Sequence, residues 1–392
     1  MTGQTMYVKR ALEKKILTLS GKFPVLTLTG PLYCGKSTLL KHCFPHYRYV
    51  SLEDHDVREF ALQDPRGFLE SFGIHTIIDE AQHAPKLFSY LQTKVDRDNT
   101  AGSYILSGSH EFLLMRQISQ SLAGRCAVLR LAPFSVAELS AASLMPEDLD
   151  TWLFQGGYPR LYQADIAPPD YFSSYIQTYV ERDVRLIRNI TDHNAFIRFV
   201  KICAGRIGGM LNYQSLAQDA DISVPTVKEW ISILQLSNII YLLQPHYRNF
   251  GKRLTKAPKL YFYDTALAIA LLGLREQGQV GTHYLRGNLF ENMVVSEYVK
   301  LFLFQGRIPP LSYWSDRNRH GIDLFVSDHT AISIKGGATM RSSDFDDLAY
   351  LQCLTSLEAN NCAVVYAGDL EVETAHGRYV SYRNIGGEVF PA

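Results

Sequence analysis

The sequence predicts an α/β protein that begins with a parallel, helix-covered sheet and continues into further modules. Two observations favour this class. Short apolar runs alternate with helical stretches between residues 25 and 131, as expected where parallel strands are joined by helices. The chain has 392 residues, of which 46% are hydrophobic, so it can build more than one core.

The charge balance argues against a globally basic nucleic-acid-binding protein, and the cysteine spacing argues against a disulfide-linked framework. Lys and Arg together number 39, as do Asp and Glu, so contact with nucleic acid would require a local basic patch. The six cysteines form no CxxC pair, which is typical of reduced thiols in a cytosol. No apolar run is long enough to cross a bilayer. We therefore expect a cytoplasmic protein with no membrane partner.

The predicted elements follow one another in a simple order. Residues 1–20 favour a helix, and Val25–Thr29 is a β-rich run that ends at a glycine. Four further strands are predicted at 49–52, 76–79, 104–107 and 128–131, and the pattern becomes helical after Pro133. We predict three domains, at 1–145, 146–270 and 271–392.

A phosphate-binding loop follows the first strand and matches GxxxxGK[ST]. The glycines let backbone N–H groups surround a phosphate at a helix N-terminus, the lysine reaches the β- and γ-phosphates, and the serine hydroxyl binds Mg²⁺. The spacing therefore predicts ATP and Mg²⁺ as ligands. Because Cys34 lies inside the loop, we expect bulky thiol reagents to inhibit unless ATP is bound. The predicted ligand-binding residues are Gly30, Pro31, Leu32, Tyr33, Cys34, Gly35, Lys36, Ser37 and Thr38.

Two carboxylates end the strand at 76–79, about forty residues after the loop. Asp79 is expected to hold Mg²⁺ and Glu80 to polarise the attacking water. A later strand ends in Ser107 and Ser109, either of which could sense the γ-phosphate or simply cap the next helix. Arg125 follows a small-residue turn and is expected to stabilise transition-state charge, either within its own subunit or in a neighbouring one.

These motifs resemble a bacterial and archaeal family of AAA-type ATPases that carry a C-terminal region called domain of unknown function 4143. The resemblance covers nearly the whole chain and implies an AAA-type fold, ATP hydrolysis and assembly into a homo-oligomer. Leu32 and Tyr33 stand where the family often has Arg-Gln, and His110 where it often has Gln. The matching segments are 30–38, 51–53, 77–82, 106–109, 121–125, 156–159 and 179–183.

The middle module has helix-turn-helix spacing. A short helix is predicted at 211–220 and a second at 224–236, with Ser223 as its N-cap. Strands at 239–243 and 259–263 flank a basic loop at 247–256, as in a winged helix. Such a loop could contact DNA phosphates, but winged helices also serve as packing or protein-contact modules.

The C-terminal module resembles the restriction-nuclease-like core, an α/β fold. Its active form holds Mg²⁺ with carboxylates and stabilises phosphate charge with a lysine. Glu291, Asp323 and Lys335 are present, but Ser333 replaces the glutamate of the Glu-x-Lys triplet, and Gly321 occupies another position that is often acidic. A hydroxyl is a poor substitute for a charged ligand on a hard cation, so we predict a degenerate nuclease-like site.

Three interpretations stay open at the level of sequence. The first is an ATP-binding and ATP-hydrolysing switch whose C-terminal modules engage a partner, with DNA bound through the winged helix as one candidate. The second is an ATP-regulated, Mg²⁺-dependent nuclease. The third is a nucleotide-gated protein-binding module with no role for nucleic acid.

Overall fold

The computed structural model describes residues 7–184, 190, 192–246, 257–316 and 320–385. Their contacts divide the chain into two compact units. The first unit comprises residues 1–134 with 236–238 and 302–308, and the second comprises 135–235, 239–301 and 309–392. The predicted basic loop at 247–256 lies outside the described residues. The three-domain division stays a prediction.

The first unit is built on a five-stranded parallel sheet with the order β2-β3-β4-β1-β5. All residues of β1, β3 and β4 are buried, as expected for central strands covered on both faces. The strands are β1 (Val25–Thr29), β2 (Arg48–Ser51), β3 (Thr76–Asp79), β4 (Tyr104–Gly108) and β5 (Cys126–Arg130). The predicted α/β class and its parallel sheet are confirmed.

Six helices accompany this sheet among the described residues. Two of them supply the buried side chains Phe68, Phe88 and Leu91, which pack against the apolar residues of the strands. Their bounds are α1 (Glu13–Ser20), α2 (Lys36–Cys43), α3 (His55–Gln63), α4 (Pro65–Phe72), α5 (Leu87–Asp98) and α6 (Glu111–Ser121), and a 3₁₀ turn covers Ala81–His83.

The second unit begins with a series of helices, several of which are capped by local side chains. Ser135 and Glu138 form a capping box at the start of α7, and Asn212 caps α12 through the amides of Gln214 and Ser215. The helices are α7 (Val136–Ala141), α8 (Leu149–Gln155), α9 (Arg160–Gln163), α10 (Pro168–Tyr175), α11 (His193–Ala204), α12 (Tyr213–Ala220) and α13 (Val224–Leu236), and a π-helical segment continues α10 over Ile176–Val184.

A mixed eight-stranded sheet forms the rest of the second unit, in the order β12-β13-β11-β10-β9-β8-β6-β7. Its strands are β6 (Ile240–Pro245), β7 (Lys259–Phe262), β8 (Leu311–Ser315), β9 (Gly321–Val326), β10 (Thr330–Lys335), β11 (Cys362–Tyr366), β12 (Val372–Thr374) and β13 (Gly377–Ser381). The accompanying helices are α14 (Thr265–Leu271), α15 (Gly278–Thr282), α16 (Arg286–Phe304) and α17 (Asp346–Leu354), with 3₁₀ turns at Ser342–Phe345, Ala359–Asn361 and Tyr382–Asn384.

Candidate nucleotide site and nuclease-like site

The carboxyl ends of three adjacent strands bring the predicted nucleotide-site residues together. In the parallel register, Thr29 of β1 lies beside Gly108 of β4, and Ile78 of β3 lies beside Leu106. The residues that follow these positions are the phosphate loop, the acidic pair and Ser109. The end of an open parallel sheet is where α/β proteins bind their ligands.

The phosphate loop is shaped by glycines that no other residue could replace without strain. Gly30 has φ +145°, and a Cβ at this position would lie 2.1 Å from the carbonyl oxygen of Leu131. Gly35, with φ 97°, is the N-cap of α2. Lys36 is buried and donates hydrogen bonds to the carbonyls of Gly30 and Pro31, both at 3.0 Å. Of the other loop residues, Leu32 is half-buried, and Tyr33 and Thr38 are exposed.

Asp79 is the centre of a hydrogen-bond cluster. Its Oδ2 accepts bonds from the hydroxyls of Ser37 at 2.6 Å and Tyr49 at 2.5 Å, and its Oδ1 accepts one from Ser107. Burial opposes ionisation, but the hydrogen bonds from Ser107, Ser37 and Tyr49 outweigh it and lower the pKa of Asp79. The side chain is thus held as a carboxylate, the form that binds a divalent cation.

Glu80 is held in a conformation that few residues other than glycine adopt. It has φ 52° and ψ 44°, in the left-handed region that costs a non-glycine residue about 1–3 kcal/mol. Its Oε2 accepts hydrogen bonds from the backbone N–H of Ser109 at 3.1 Å, from the Ser109 hydroxyl at 2.9 Å and from the Gln82 amide. Ser109 therefore positions Glu80, while Ser107 contacts Asp79.

Arg125 lies at the amino ends of the strands, whereas the phosphate loop lies at their carboxyl ends. Its carbonyl accepts from the N–H of Val25 at 3.3 Å, at the amino end of β1, whereas Gly30 follows the carboxyl end. A five-residue strand separates these ends by roughly 15 Å. The Arg125 guanidinium instead pairs with Asp96. This placement argues against the expected role within its own subunit and leaves a role in a neighbouring subunit as a prediction.

Two arginines that sequence reasoning missed lie near the phosphate loop. Arg10 is 3% exposed and donates to the carbonyls of Cys34 at 3.0 Å and Ala132 at 2.6 Å. Arg130 ends β5 next to Thr29 and pairs with Glu111. No motif marks either residue. The only signal for Arg130 was its place at the carboxyl end of a predicted strand.

Cys34 corrects an expectation about thiol chemistry. Its side chain is fully buried, and its Sγ lies 3.6 Å from the Leu131 carbonyl oxygen. Burial raises the pKa of the thiol above its ordinary value. Because thiol reagents attack an accessible thiolate, inhibition by modification of Cys34 is not expected from the folded protein.

The residues predicted for the nuclease-like site lie in the second unit, where an unforeseen lysine contacts two of them. Lys259 Nζ lies 2.9 Å from Glu291 Oε1 and 3.8 Å from Asp323 Oδ1. Burial opposes the charge on Lys259, but the two carboxylates outweigh it and raise its pKa. Burial and the nearby Glu291 raise the pKa of Asp323 to about 6, although Lys259 counteracts them.

Ser333 and Lys335 share one face of β10 with Asp323 of the neighbouring strand. Ile332 pairs with Leu324 in the antiparallel register, so the next residue, Ser333, comes beside Asp323. Ser333 is buried, and its hydroxyl has no hydrogen-bond partner among the residues that the structure describes. Lys335 is half-buried at the end of β10. The predicted nuclease-like site therefore contains two carboxylates, Glu291 and Asp323, rather than three.

The predicted helix-turn-helix elements are present as secondary structure. Helices α12 and α13 are separated by a short turn in which Asp221 has φ 56°, and the Ser223 hydroxyl accepts from the Thr226 amide at 3.2 Å. Strands β6 and β7 pair in antiparallel fashion. Both strands also belong to the eight-stranded sheet, whereas the wing of an independent winged helix would form a small sheet of its own.

Three family models match successive parts of the chain. Residues 22–140 match an AAA domain, 146–278 match domain of unknown function DUF8612, and 286–385 match domain of unknown function DUF4143. The predicted combination of an AAA-type domain with a DUF4143 domain is confirmed. The DUF8612 match was not foreseen from the sequence. No helix in the described part of the chain is long and apolar enough to cross a membrane.

Similar whole chains and solved structures are also found. The uncharacterized proteins Rv2008c of Mycobacterium tuberculosis and Mb2031c of Mycobacterium bovis are each 27% identical over 354 residues, covering 88% of this chain and 77% of theirs. A Walker-type ATPase of Pyrococcus abyssi is 15% identical with a TM-score of 0.40, covering 68% of this chain and 96% of its own. AMPPCP-bound DnaA of Aquifex aeolicus is 16% identical with a TM-score of 0.31, covering 57% and 86%.

Proposed function

We propose, on the premise that this chain joins an AAA domain to a DUF4143 domain, that it is an ATPase whose nucleotide cycle switches its C-terminal modules between partner-engaged and released states. The observation that carries the ATPase proposal is the bond of 2.6 Å between Ser37 and Asp79, with Glu80 next in the chain. Loop serine and strand-end aspartate are the pair expected to share one cation in a phosphate-loop ATPase.

Ser37 and Asp79 fit a magnesium ion chemically, since one supplies a hydroxyl oxygen and the other a carboxylate that its neighbours keep ionised. Magnesium would neutralise charge on the β- and γ-phosphates. Lys36 would exchange its hydrogen bonds to the loop carbonyls for bonds to phosphate oxygens, and the amides at the start of α2 would complete the cradle.

Glu80 would orient and polarise the attacking water. In its bonded position, the carboxylate is fastened to Ser109, so the Ser109 hydroxyl would act as a positioning group for the catalytic carboxylate. Loss of the γ-phosphate would change the contact between Glu80 and Ser109. Because Ser109 lies between β4 and α6, these two elements would then differ in position between the ATP and ADP states.

The partner is proposed to engage the C-terminal modules, with DNA as the first candidate. Helices α12 and α13 have the helix-turn-helix order, and the basic residues at 247–256 provide charge for phosphate contacts. If the modules instead bind a protein and no nucleic acid, DNA should not change the rate of ATP hydrolysis. A homo-oligomer is proposed because Arg125 could then reach a neighbouring site. Six free cysteines support a cytoplasmic setting.

The proposal is tested by steady-state ATP hydrolysis with Mg²⁺, with and without single- and double-stranded DNA. Lys36→Ala should lose nucleotide binding, because it removes the ammonium that pairs with the phosphates. Glu80→Gln should bind nucleotide and stop hydrolysis, because an amide cannot accept a proton from water. Full hydrolysis by Glu80→Gln would remove this residue from the mechanism.

The same assay separates the partner hypotheses. Turnover stimulated by DNA, and less stimulated after the arginines and lysines of 247–256 are replaced by glutamine, would support DNA engagement. Turnover that is indifferent to DNA would favour a protein partner. Replacement of Lys22 by glutamine serves as the control for loss of a positive charge, since this exposed lysine precedes β1 and lies outside both the basic loop and the phosphate loop.

A further inference from the structure

Lys259 occupies the space between two carboxylates that come from other parts of the chain. Its ammonium lies 2.9 Å from Glu291 and 3.8 Å from Asp323. Glu291 Oε1 also accepts a hydrogen bond of 2.5 Å from the Tyr261 hydroxyl. The side chains of Lys259, Glu291 and Asp323 are 15%, 17% and 26% exposed. This is a largely desolvated cluster, in which a charge requires a close partner.

The remaining ligand capacity of the cluster is small. Asp323 Oδ2 accepts the backbone N–H of Ile334 at 2.7 Å, and Ser333 contributes a hydroxyl where a third carboxylate would be needed. Among the described residues, no group of three or more His, Cys, Asp and Glu side chains is arranged to hold a metal ion. Hard divalent cations bind six or more oxygen ligands and prefer carboxylates, so the donor set does not fit one while Lys259 is present.

The Lys259 ammonium takes the place that a metal ion would have between the two carboxylates. A positive charge between the two carboxylates offsets their mutual repulsion, and a divalent ion entering the same space would meet Lys259 at close range in a poorly screened environment. The lysine also has a mechanical consequence, because its bonds join β7 to α16 and, at longer range, to β9.

We propose that Lys259 is a built-in substitute for a metal ion: it occupies the nuclease-like site, prevents divalent cations from binding there and fastens β7 to the core. The nuclease-like module is therefore a rigid scaffold that does not cut nucleic acid. This inference is independent of the ATPase proposal, since it concerns other residues and can be tested without nucleotide.

The test measures Mn²⁺ binding by electron paramagnetic resonance, in an Asp79→Asn background that removes the acidic ligand of the nucleotide site. The protein with Lys259 intact should take up no Mn²⁺ at Glu291 and Asp323. Lys259→Met, which keeps a long side chain without charge, should bind Mn²⁺ at least about tenfold more tightly than the detection limit set by the protein with Lys259 intact, and no gain in a folded Lys259→Met protein would overturn the proposal. Adding Asp323→Asn to Lys259→Met should abolish the gain.

Two matched controls identify the cause. Lys259→Arg keeps the charge and should stay without Mn²⁺. Lys335→Met removes a nearby lysine of β10 that does not bridge the carboxylates and should also show no gain. If Lys335→Met gained Mn²⁺ as strongly as Lys259→Met, a general change of charge would explain the binding and the proposal would be overturned.

A second comparison tests whether the site excludes a metal ion while Lys259 is present, even if Lys259→Met does not fold. Mn²⁺ binding and DNA cleavage are measured for the protein with Lys259 intact and for Asp323→Asn, both in the Asp79→Asn background. Equal and negligible binding with no cleavage in either protein supports the proposal. Binding or cleavage that depends on Asp323 while Lys259 is present would overturn it.

Discussion

Replacing Arg10 should loosen the phosphate loop, because its buried guanidinium links a carbonyl inside the loop to a carbonyl of the segment after β5. The acceptors are Cys34, inside the loop, at 3.0 Å, and Ala132, just after β5, at 2.6 Å. Hydrogen bonds to a charged group contribute about 1.5–3 kcal/mol each, so the gross loss in Arg10→Met is about 3–6 kcal/mol. Relief of the cost of burying the charge offsets part of this. We expect a net destabilisation on the order of 2–4 kcal/mol.

Hydrogen exchange is the suitable assay for this unit. The three tryptophans, at 152, 230 and 314, all lie outside residues 1–134, so their fluorescence would not report on the phosphate loop. Peptides covering 25–35 and 126–134 should exchange faster in Arg10→Met, and the affinity for a fluorescent ATP analogue should fall by about tenfold, which corresponds to roughly 1.4 kcal/mol.

The control for Arg10→Met is Arg10→Lys, which keeps the charge but presents a point donor instead of a planar fork. It should retain one of the two hydrogen bonds and show about half of the destabilisation. Peptides from β9 should be unchanged in both variants. Wild-type exchange and wild-type nucleotide affinity in Arg10→Met would refute the anchoring role.

Three further predictions concern charge and thiol chemistry. Arg125→Ala and Asp96→Ala should leave hydrolysis unchanged in protein diluted until it is monomeric by light scattering, since this pair lies away from the phosphate loop of its own subunit, and a loss in the monomer would contradict that placement. Native protein should react with a bulky thiol reagent at exposed Cys353 and not at buried Cys34, as peptide mass mapping would reveal. Because the folded-state pKa of Asp323 is raised from 3.8 to about 6, its contribution to stability is fully present below pH 3.8 and is lost as pH rises through 6. Wild type should therefore lose on the order of 2 kcal/mol relative to Asp323→Asn between pH 4 and 7, measured by urea unfolding with Trp314 fluorescence, and a pH-independent difference would contradict it.

Local patterns were sufficient to predict most of the parallel sheet. The strands at 25–29 and 76–79 coincide with β1 and β3, and the others differ by one or two residues at their ends. Strands of this kind are continuous apolar runs bounded by turns, so the signal is contained in a few adjacent residues. The phosphate loop was predictable for the same reason, because its spacing is fixed within eight residues and its context is one strand and one helix.

Contacts between distant parts of the chain were not predictable in this way. Arg10 reaches Ala132 across 122 residues of sequence, and an arginine within a basic stretch that favours a helix gives no sign of its partner. The choice between Ser107 and Ser109 also required geometry. The sequence offered both as candidates for one role, whereas the fold gives Ser107 to Asp79 and Ser109 to Glu80.

The nuclease-like motif illustrates the limit of motif reading most clearly. Glu291, Asp323 and Lys335 are present in order. The predicted degeneracy depended on two positions that lack an acidic side chain, Ser333 and Gly321. The residue with the larger physical effect is Lys259, which the predicted division at residue 270 assigned to the preceding module. A motif specifies which side chains surround a site. The net charge of the site also depends on any other residue that the fold brings between those side chains. The cation specificity of such a site therefore has to be derived from the assembled cluster, and replacing Lys259 is the change that tests this.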